Sequence, residues 1–145
     1  MINKFSVDTN ILVYLVQPDQ IEKQKKAEEV YRFLAGQKTL ISLQVLNEFY
    51  YVTTRKSILS PDLARTLIQE WMHLFEIITP NEETLLRGID LQADYGLSFW
   101  DGLLIAVAQQ HGVRYFFSED GHNHAKIGGV QIENPFLVDN LAAIY

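Results

Sequence analysis

Lys4-Phe5-Ser6-Val7-Asp8-Thr9-Asn10-Ile11-Leu12-Val13-Tyr14-Leu15-Val16 is the segment on which the reading of the fold turns. Its first four residues have the length and apolar content of a short buried strand. Asp8 stands at the carboxyl end of that strand, and Ile11 to Val16 reads as a helix closed by Pro18. Strand, acid and helix in that order open an α/β unit, a class in which ligands bind beyond the carboxyl ends of the strands.

The alternation continues downstream. Ala27, Val30, Tyr31 and Leu34 recur at helical spacing across residues 22 to 35, opposite Glu22, Lys26, Glu29 and Arg32, and Gly36 supplies a stop. Thr39-Leu40-Ile41-Ser42 predicts a second strand, and Val45, Phe49 and Val52 mark one side of a helix from Gln44 to Lys56. Ser60-Pro61 starts another helix, with Leu63, Leu67, Ile68, Trp71 and Met72 as its apolar stripe. Phe75 to Thr79 is a third strand. Asn81 caps a helix reaching Tyr95, Gly96 breaks it, and Ser98 begins the next, with Leu103, Leu104, Val107 and Ala108 inward. Arg114 to Ser118 is the fourth strand, and Val130-Gln131-Ile132 adds a short fifth. The expected architecture is an α/β sandwich: a mainly parallel central sheet of four to five short strands with helices on both faces.

A chain of 145 residues, 48% hydrophobic and 21% charged, fits one compact domain over residues 1–145. No repeat or linker divides it. The absence of cysteine excludes disulfides and thiolate zinc sites and suits a reducing compartment. The first residues lack a secretory leader and no run approaches a membrane span, so a cytoplasmic location is expected. The net charge of -6 argues against a phosphate-binding surface built from many Lys and Arg. Acids gathered around divalent cations would reverse the local sign.

Four acids interrupt apolar surroundings: Asp8 after Phe-Ser-Val, Glu48 in Val-Leu-Asn-Glu-Phe-Tyr-Tyr, Asp101 in Leu-Ser-Phe-Trp-Asp-Gly-Leu-Leu, and Asp120 after Tyr-Phe-Phe-Ser-Glu. Asp8 and Asp120 each follow a predicted strand, while Glu48 and Asp101 lie in early turns of helices leaving the same sheet edge. If the four converge to about 5 Å, each like-charged pair repels by about 3 kcal/mol at an effective dielectric near 20. No basic residue flanks any of them closely, so a hard divalent cation is the natural counter-charge. Carboxylate-held metal can activate water for in-line attack on a phosphodiester without a covalent nucleophile.

Val7 to Tyr14, Leu46-Asn47-Glu48-Phe49, Leu97-Ser98-Phe99-Trp100-Asp101 and Ser118-Glu119-Asp120 resemble, in order, the signature of PIN domains, and most closely the VapC-type toxins. The resemblance runs from residue 3 to Phe136. It implies a PIN-like three-layer fold, Mg²⁺- or Mn²⁺-dependent cleavage of RNA, and a small antitoxin that inserts a segment into the acidic cleft; a homodimer is expected. By the same resemblance Asp8, Glu48, Asp101 and Asp120 are the catalytic, metal-holding acids, with Asn10 and Ser118 supporting them. The chain departs from the pattern at Gly121-His122-Asn123-His124-Ala125-Lys126 and at Gly102, where a helix former is expected.

Plainer roles compete for the same residues. Asp8 could cap a helix, a task open equally to Thr9 or Asn10; Asp101 could be a favourable first-turn charge; Glu119, read as a surface neighbour, could replace Asp120 as ligand. His122 and His124 lack the spacing of a zinc site, Arg55-Lys56 reads as a wet face, and Trp71 and Trp100 read as core. Among other activities, a phosphoaspartyl hydrolase would need an aspartate where Asn10 stands, and a calcium loop would need further oxygen ligands after Asn10. A catalytically silent module binding RNA or a basic peptide through its acidic cleft is the non-enzymatic alternative.

Overall fold

The computed structural model describes residues 2–120 and 123–145. Strands and helices run in the order β1 (Lys4–Val7), α1 (Thr9–Tyr14), α2 (Ile21–Ala35), β2 (Lys38–Ser42), α3 (Leu43–Arg55), α4 (Pro61–Leu74), β3 (Glu76–Ile78), α5 (Glu82–Tyr95), α6 (Phe99–Gln110), β4 (Tyr115–Phe117), β5 (Lys126–Ile127) and β6 (Val130–Glu133). A 3-10 turn at Pro135–Leu137 and α7 (Leu141–Ile144) follow.

Local chemistry sets the helix starts. Asp8, Ser42, Ser60, Asn81 and Ser98 each accept a backbone N–H at the head of α1, α3, α4, α5 and α6 respectively. Because Asp8 is the cap rather than Thr9 or Asn10, α1 begins at Thr9, two residues before Ile11, and it ends at Tyr14, well short of Pro18. Gly96 closes α5 at φ 68°, a left-handed value that glycine adopts without strain.

The sheet order is β3-β2-β1-β4-β6-β5. All neighbours are parallel except β5, which folds back on β6 through Gly128 and Gly129, both at positive φ. This two-residue edge strand takes the sheet to six and is too short to show a period in the sequence. From β1 the chain builds outward to β2 and β3, then returns to lay β4 on the other side of β1. The reversal opens a crevice beyond the carboxyl ends of β1 and β4, the position where open α/β sheets bind ligands.

The period of two along each strand gives the sheet its two covered faces. Phe5 and Phe117 meet Phe33 of α2 at ring-centroid distances of 5.4 and 6.2 Å, and Tyr145 closes on Phe117 at 5.1 Å. Phe116, one residue out of phase, lies with Ile132 against Leu104 and Ile105 of α6. Helices therefore cover both faces, as the sequence pattern implies.

Gly102 looks out of place in a helix until its neighbour is considered. A Cβ there would lie 2.7 Å from the carbonyl oxygen of Gly88, and one on Gly88 would lie 3.0 Å from the Cα of Leu103. The two glycines let α5 and α6 touch backbone to backbone, and this contact fixes the height of Asp101 one residue earlier. Two expectations about the core fail. On α4 only Ala64 and Trp71 are fully buried, leaving Leu63 and Met72 exposed, and Trp100 is an exposed side chain rather than core. Among the described residues no helix is long and apolar enough to cross a membrane.

Candidate active site

Asp8 enters the crevice as β1 ends. Its backbone N–H donates to the carbonyl of Phe117 at 2.8 Å, extending the β1–β4 pairing by one bond. One carboxylate oxygen accepts the N–H of Thr9 at 2.8 Å and the other accepts the hydroxyl of Ser118 at 3.0 Å. Burial pushes this carboxyl up from 3.8 to about 6, opposed by the hydrogen bonds from Thr9 and Ser118 and aided by the charges of Asp120 and Asp101.

Asp120 follows β4 on the short segment that begins at Ser118. The buried Ser118 hydroxyl accepts the Asp120 N–H at 3.2 Å while donating to Asp8, so one side chain positions both acids. The amide of Asn10 donates to the two Asp120 oxygens, each at 3.3 Å, a link between α1 and the end of β4. Asp101 arrives from the opposite wall in the first turn of α6, where its N–H donates to the Ser98 cap at 3.1 Å. Asp8, Asp101, Asp120 and Ser118 line one pocket whose floor is apolar, with Leu97, Leu104, Phe116 and Ile132 beneath them.

Glu48 is brought to the same neighbourhood without lining that pocket. It is exposed on α3; one oxygen accepts the Thr9 hydroxyl at 2.8 Å and the other accepts the Gln44 amide at 3.3 Å. Thr9 thus holds two acids, Asp8 through its backbone and Glu48 through its side chain. Neither Thr9 in this role nor Gln44 was legible in the sequence, because the contact joins helices 39 positions apart. The only available signal was a hydroxyl residue directly after Asp8.

Glu119 is not the surface neighbour that the sequence implies. It is half-buried and turns away from Asp120 to pair with Lys23 and accept the Tyr14 hydroxyl. His124 is engaged by Glu133, with Nδ1 2.6 Å from its carboxylate, and His122 with Gly121 lies outside the described residues. Among the described residues none of the four acids has a Lys, Arg or His within ion-pair distance. Nor is any group of three or more acids or histidines already drawn tightly enough to cage an ion. The arrangement is an open, acid-walled cleft.

A family model described as PIN domain matches residues 6–129, a span that holds all four acids. The chain belongs to the PIN domain family. Solved structures agree on the fold of this PIN domain. A toxin–antitoxin complex from Klebsiella pneumoniae aligns with TM-score 0.67 at 22% identity, covering 90% of this chain and 96% of that one. A VapC toxin of Mycobacterium tuberculosis, described as sarcin–ricin loop cleaving, aligns with TM-score 0.68 at 17% identity over 88% and 98% of the two chains. DNA-bound VapBC from Salmonella typhimurium gives TM-score 0.68 at 16% identity over 92% and 98%. Among curated proteins none matches the chain.

Proposed function

We propose that this PIN domain, spanning residues 1–145, is a metal-dependent endoribonuclease and the toxin of a toxin–antitoxin pair. The observation that carries the reading is the meeting of Asp8, Asp101 and Asp120 in one cleft where, among the described residues, no basic side chain neutralises them. Oxygen donors alone suit Mg²⁺ or Mn²⁺, and Mg²⁺ is commonly held by one or two carboxylates plus water, so an open cleft fits it better than a closed cage. The burial that holds Asp8's proton more tightly is the strain that a bound cation relieves.

In this proposal Asp8, Asp101 and Asp120 hold the ion, which supplies charge neutralisation and activation of water for phosphodiester hydrolysis. Ser118 and Thr9 fix the Asp8 carboxylate at the wall of the cleft. Asn10 fixes Asp120. Glu48, held by Thr9 and Gln44 at the cleft margin, orients the attacking water and accepts its proton.

RNA is the substrate we assign, following the description of the similar mycobacterial toxin. A cognate antitoxin would silence the site by placing a basic side chain among the acids, where it makes charge-assisted bonds and takes the ion's place; several similar structures are toxin–antitoxin complexes. We place the protein in the cytoplasm as a homodimer. The test is cleavage of a structured-RNA pool by purified protein with Mg²⁺ or Mn²⁺, beside EDTA and Asp101→Asn controls. Discrete cuts lost in both controls are expected; cuts that persist in EDTA would remove the metal from the mechanism.

A further inference from the structure

The cleavage chemistry leaves a stripe on α3 unused. At 100° per residue, Gln44, Glu48, Tyr51 and Arg55 fall within a sector of about 60°, opposite the buried Val45, Leu46, Phe49 and Thr53. Tyr51 is 61% exposed, and the Arg55 guanidinium lies over its ring at 5.7 Å from the centroid. At the other end the Gln44 amide, which donates to Glu48, also donates to the backbone carbonyl of Trp100 at 3.4 Å, so the head of the stripe meets the backbone of a 63% exposed residue next to Asp101; the Trp100 indole packs edge-on to Phe99 at 5.2 Å between ring centroids. The order from Trp100 along the helix is Trp100, Gln44, Glu48, Tyr51, Arg55: an aromatic, an amide, an acid, an aromatic and a cation.

We propose that this stripe grips single-stranded RNA on both sides of the cleaved phosphate, with Trp100 and Tyr51 as stacking platforms and Arg55 as the phosphate clamp; the inference rests on the ribonuclease reading above. A protein of net charge -6 cannot draw its affinity for a polyanion from charge alone. Stacking supplies affinity that is independent of charge and tolerant of sequence, since every base presents a π-face. From Gln44 to Arg55 the helix rises about 16 Å, the length of about five stacked nucleotides at roughly 3.4 Å each. The exposed Leu85, Leu86 and Ile89 of α5 are aliphatic and offer no such platform, and its exposed aromatic, Tyr95, is engaged at the end of the helix, where its hydroxyl accepts the Gly128 N–H at 3.4 Å.

The test is fluorescence anisotropy with a labelled single-stranded RNA of mixed sequence, in Mg²⁺, using the full chain carrying Asp101→Asn so that the probe stays intact. Tyr51→Ala and Trp100→Ala are each expected to weaken binding about tenfold, with Tyr51→Phe and Trp100→Phe restoring most of it. Arg55→Ala is expected to reduce the slope of log affinity against log salt by about one. All of these side chains are exposed, so melting temperatures serve as the check on folding. Without Asp101→Asn, the wild-type protein is expected to hydrolyse methyl p-nitrophenyl phosphate, a diester with no base to stack, and Tyr51→Ala and Trp100→Ala are expected to raise KM for RNA more than they lower kcat. Wild-type protein that cuts neither this diester nor RNA would overturn the nuclease reading, and the anisotropy ratios would still decide the grip. Unchanged RNA affinity in both alanine variants would overturn the grip while leaving the nuclease in place. The same holds if those variants change only the oligomeric state, which would make the stripe a contact between two copies of the chain.

Discussion

Replacing Asp8 by Asn is expected to make the metal-free protein more stable while destroying its activity. Burial raises the Asp8 carboxyl from 3.8 to about 6 in the folded chain. The folded state therefore keeps this proton over a range in which the unfolded chain has released it. The sign follows from linkage: the fold binds more protons than the unfolded chain between about pH 4 and 6, so stability falls as pH rises through that window. Above it, the ionised Asp8 costs the fold about 3 kcal/mol. Asparagine carries no charge and keeps an acceptor for the Thr9 N–H, but it weakens the bond from Ser118 by about 1 kcal/mol. The net gain is about 2 kcal/mol, or about 4 to 8 °C in melting temperature for a domain of this size. Thermal melts in EDTA at about pH 7.5 and about pH 4 measure it, with the advantage expected at the higher pH and absent at the lower. An Asp8→Asn protein that melts below wild type at the higher pH, or a gap that ignores pH, would refute the account of Asp8 as a buried, unneutralised charge.

Three further outcomes test other parts of the site. Adding Mg²⁺ or Mn²⁺ is expected to raise the wild-type melting temperature, by an amount corresponding to about 2.7 kcal/mol at a hundredfold excess over Kd, and to leave Asp8→Asn nearly unmoved; calorimetric scans with and without the ion decide this. Thr9→Val removes the hydroxyl that holds Glu48 and keeps the side-chain volume, so turnover is expected to fall about 10- to 100-fold, with Thr9→Ser recovering most of it in the same RNA cleavage assay. Gly102→Ala places a methyl 2.7 Å from the Gly88 carbonyl oxygen. Spreading α5 from α6 is expected to cost about 1–3 kcal/mol in urea unfolding and to lower activity through displacement of Asp101.

Much of this was legible in the chain because the signals are local. A serine or asparagine cap marks the start of α3, α4, α5 and α6, and the apolar runs of β1, β2, β4 and β6 stand between turn residues. The acids stood out because each breaks an apolar context, and the structure brings Asp8, Asp101 and Asp120 to one pocket. What escaped depends on contacts between distant segments. The double duty of Thr9 requires α1 and α3 to be neighbours, and the need for Gly102 appears only when Gly88 faces it. Trp100 has the composition of core and the location of surface, a distinction set by which side of α6 meets the sheet. β5 and α7, of two and four residues, are shorter than any period that could reveal them.

The pairing of β1 with β4 carries a consequence for how the protein is made. The hydroxyl of Ser118 and the carboxylate of Asp8 are 110 positions apart, and so are Asn10 and Asp120. Chains emerge from the ribosome at about 5–20 residues per second, so Asp8 spends seconds outside before its partners on the other side of the seam are translated. A nascent chain that has reached α5 already displays Asp8 and Glu48, yet it has no Asp101, no Asp120 and no β4 to complete the crevice. Under the proposed ribonuclease function, synthesis beside the translation machinery is then harmless until nearly the whole domain has been read out. The same delay would give the proposed antitoxin its interval to arrive.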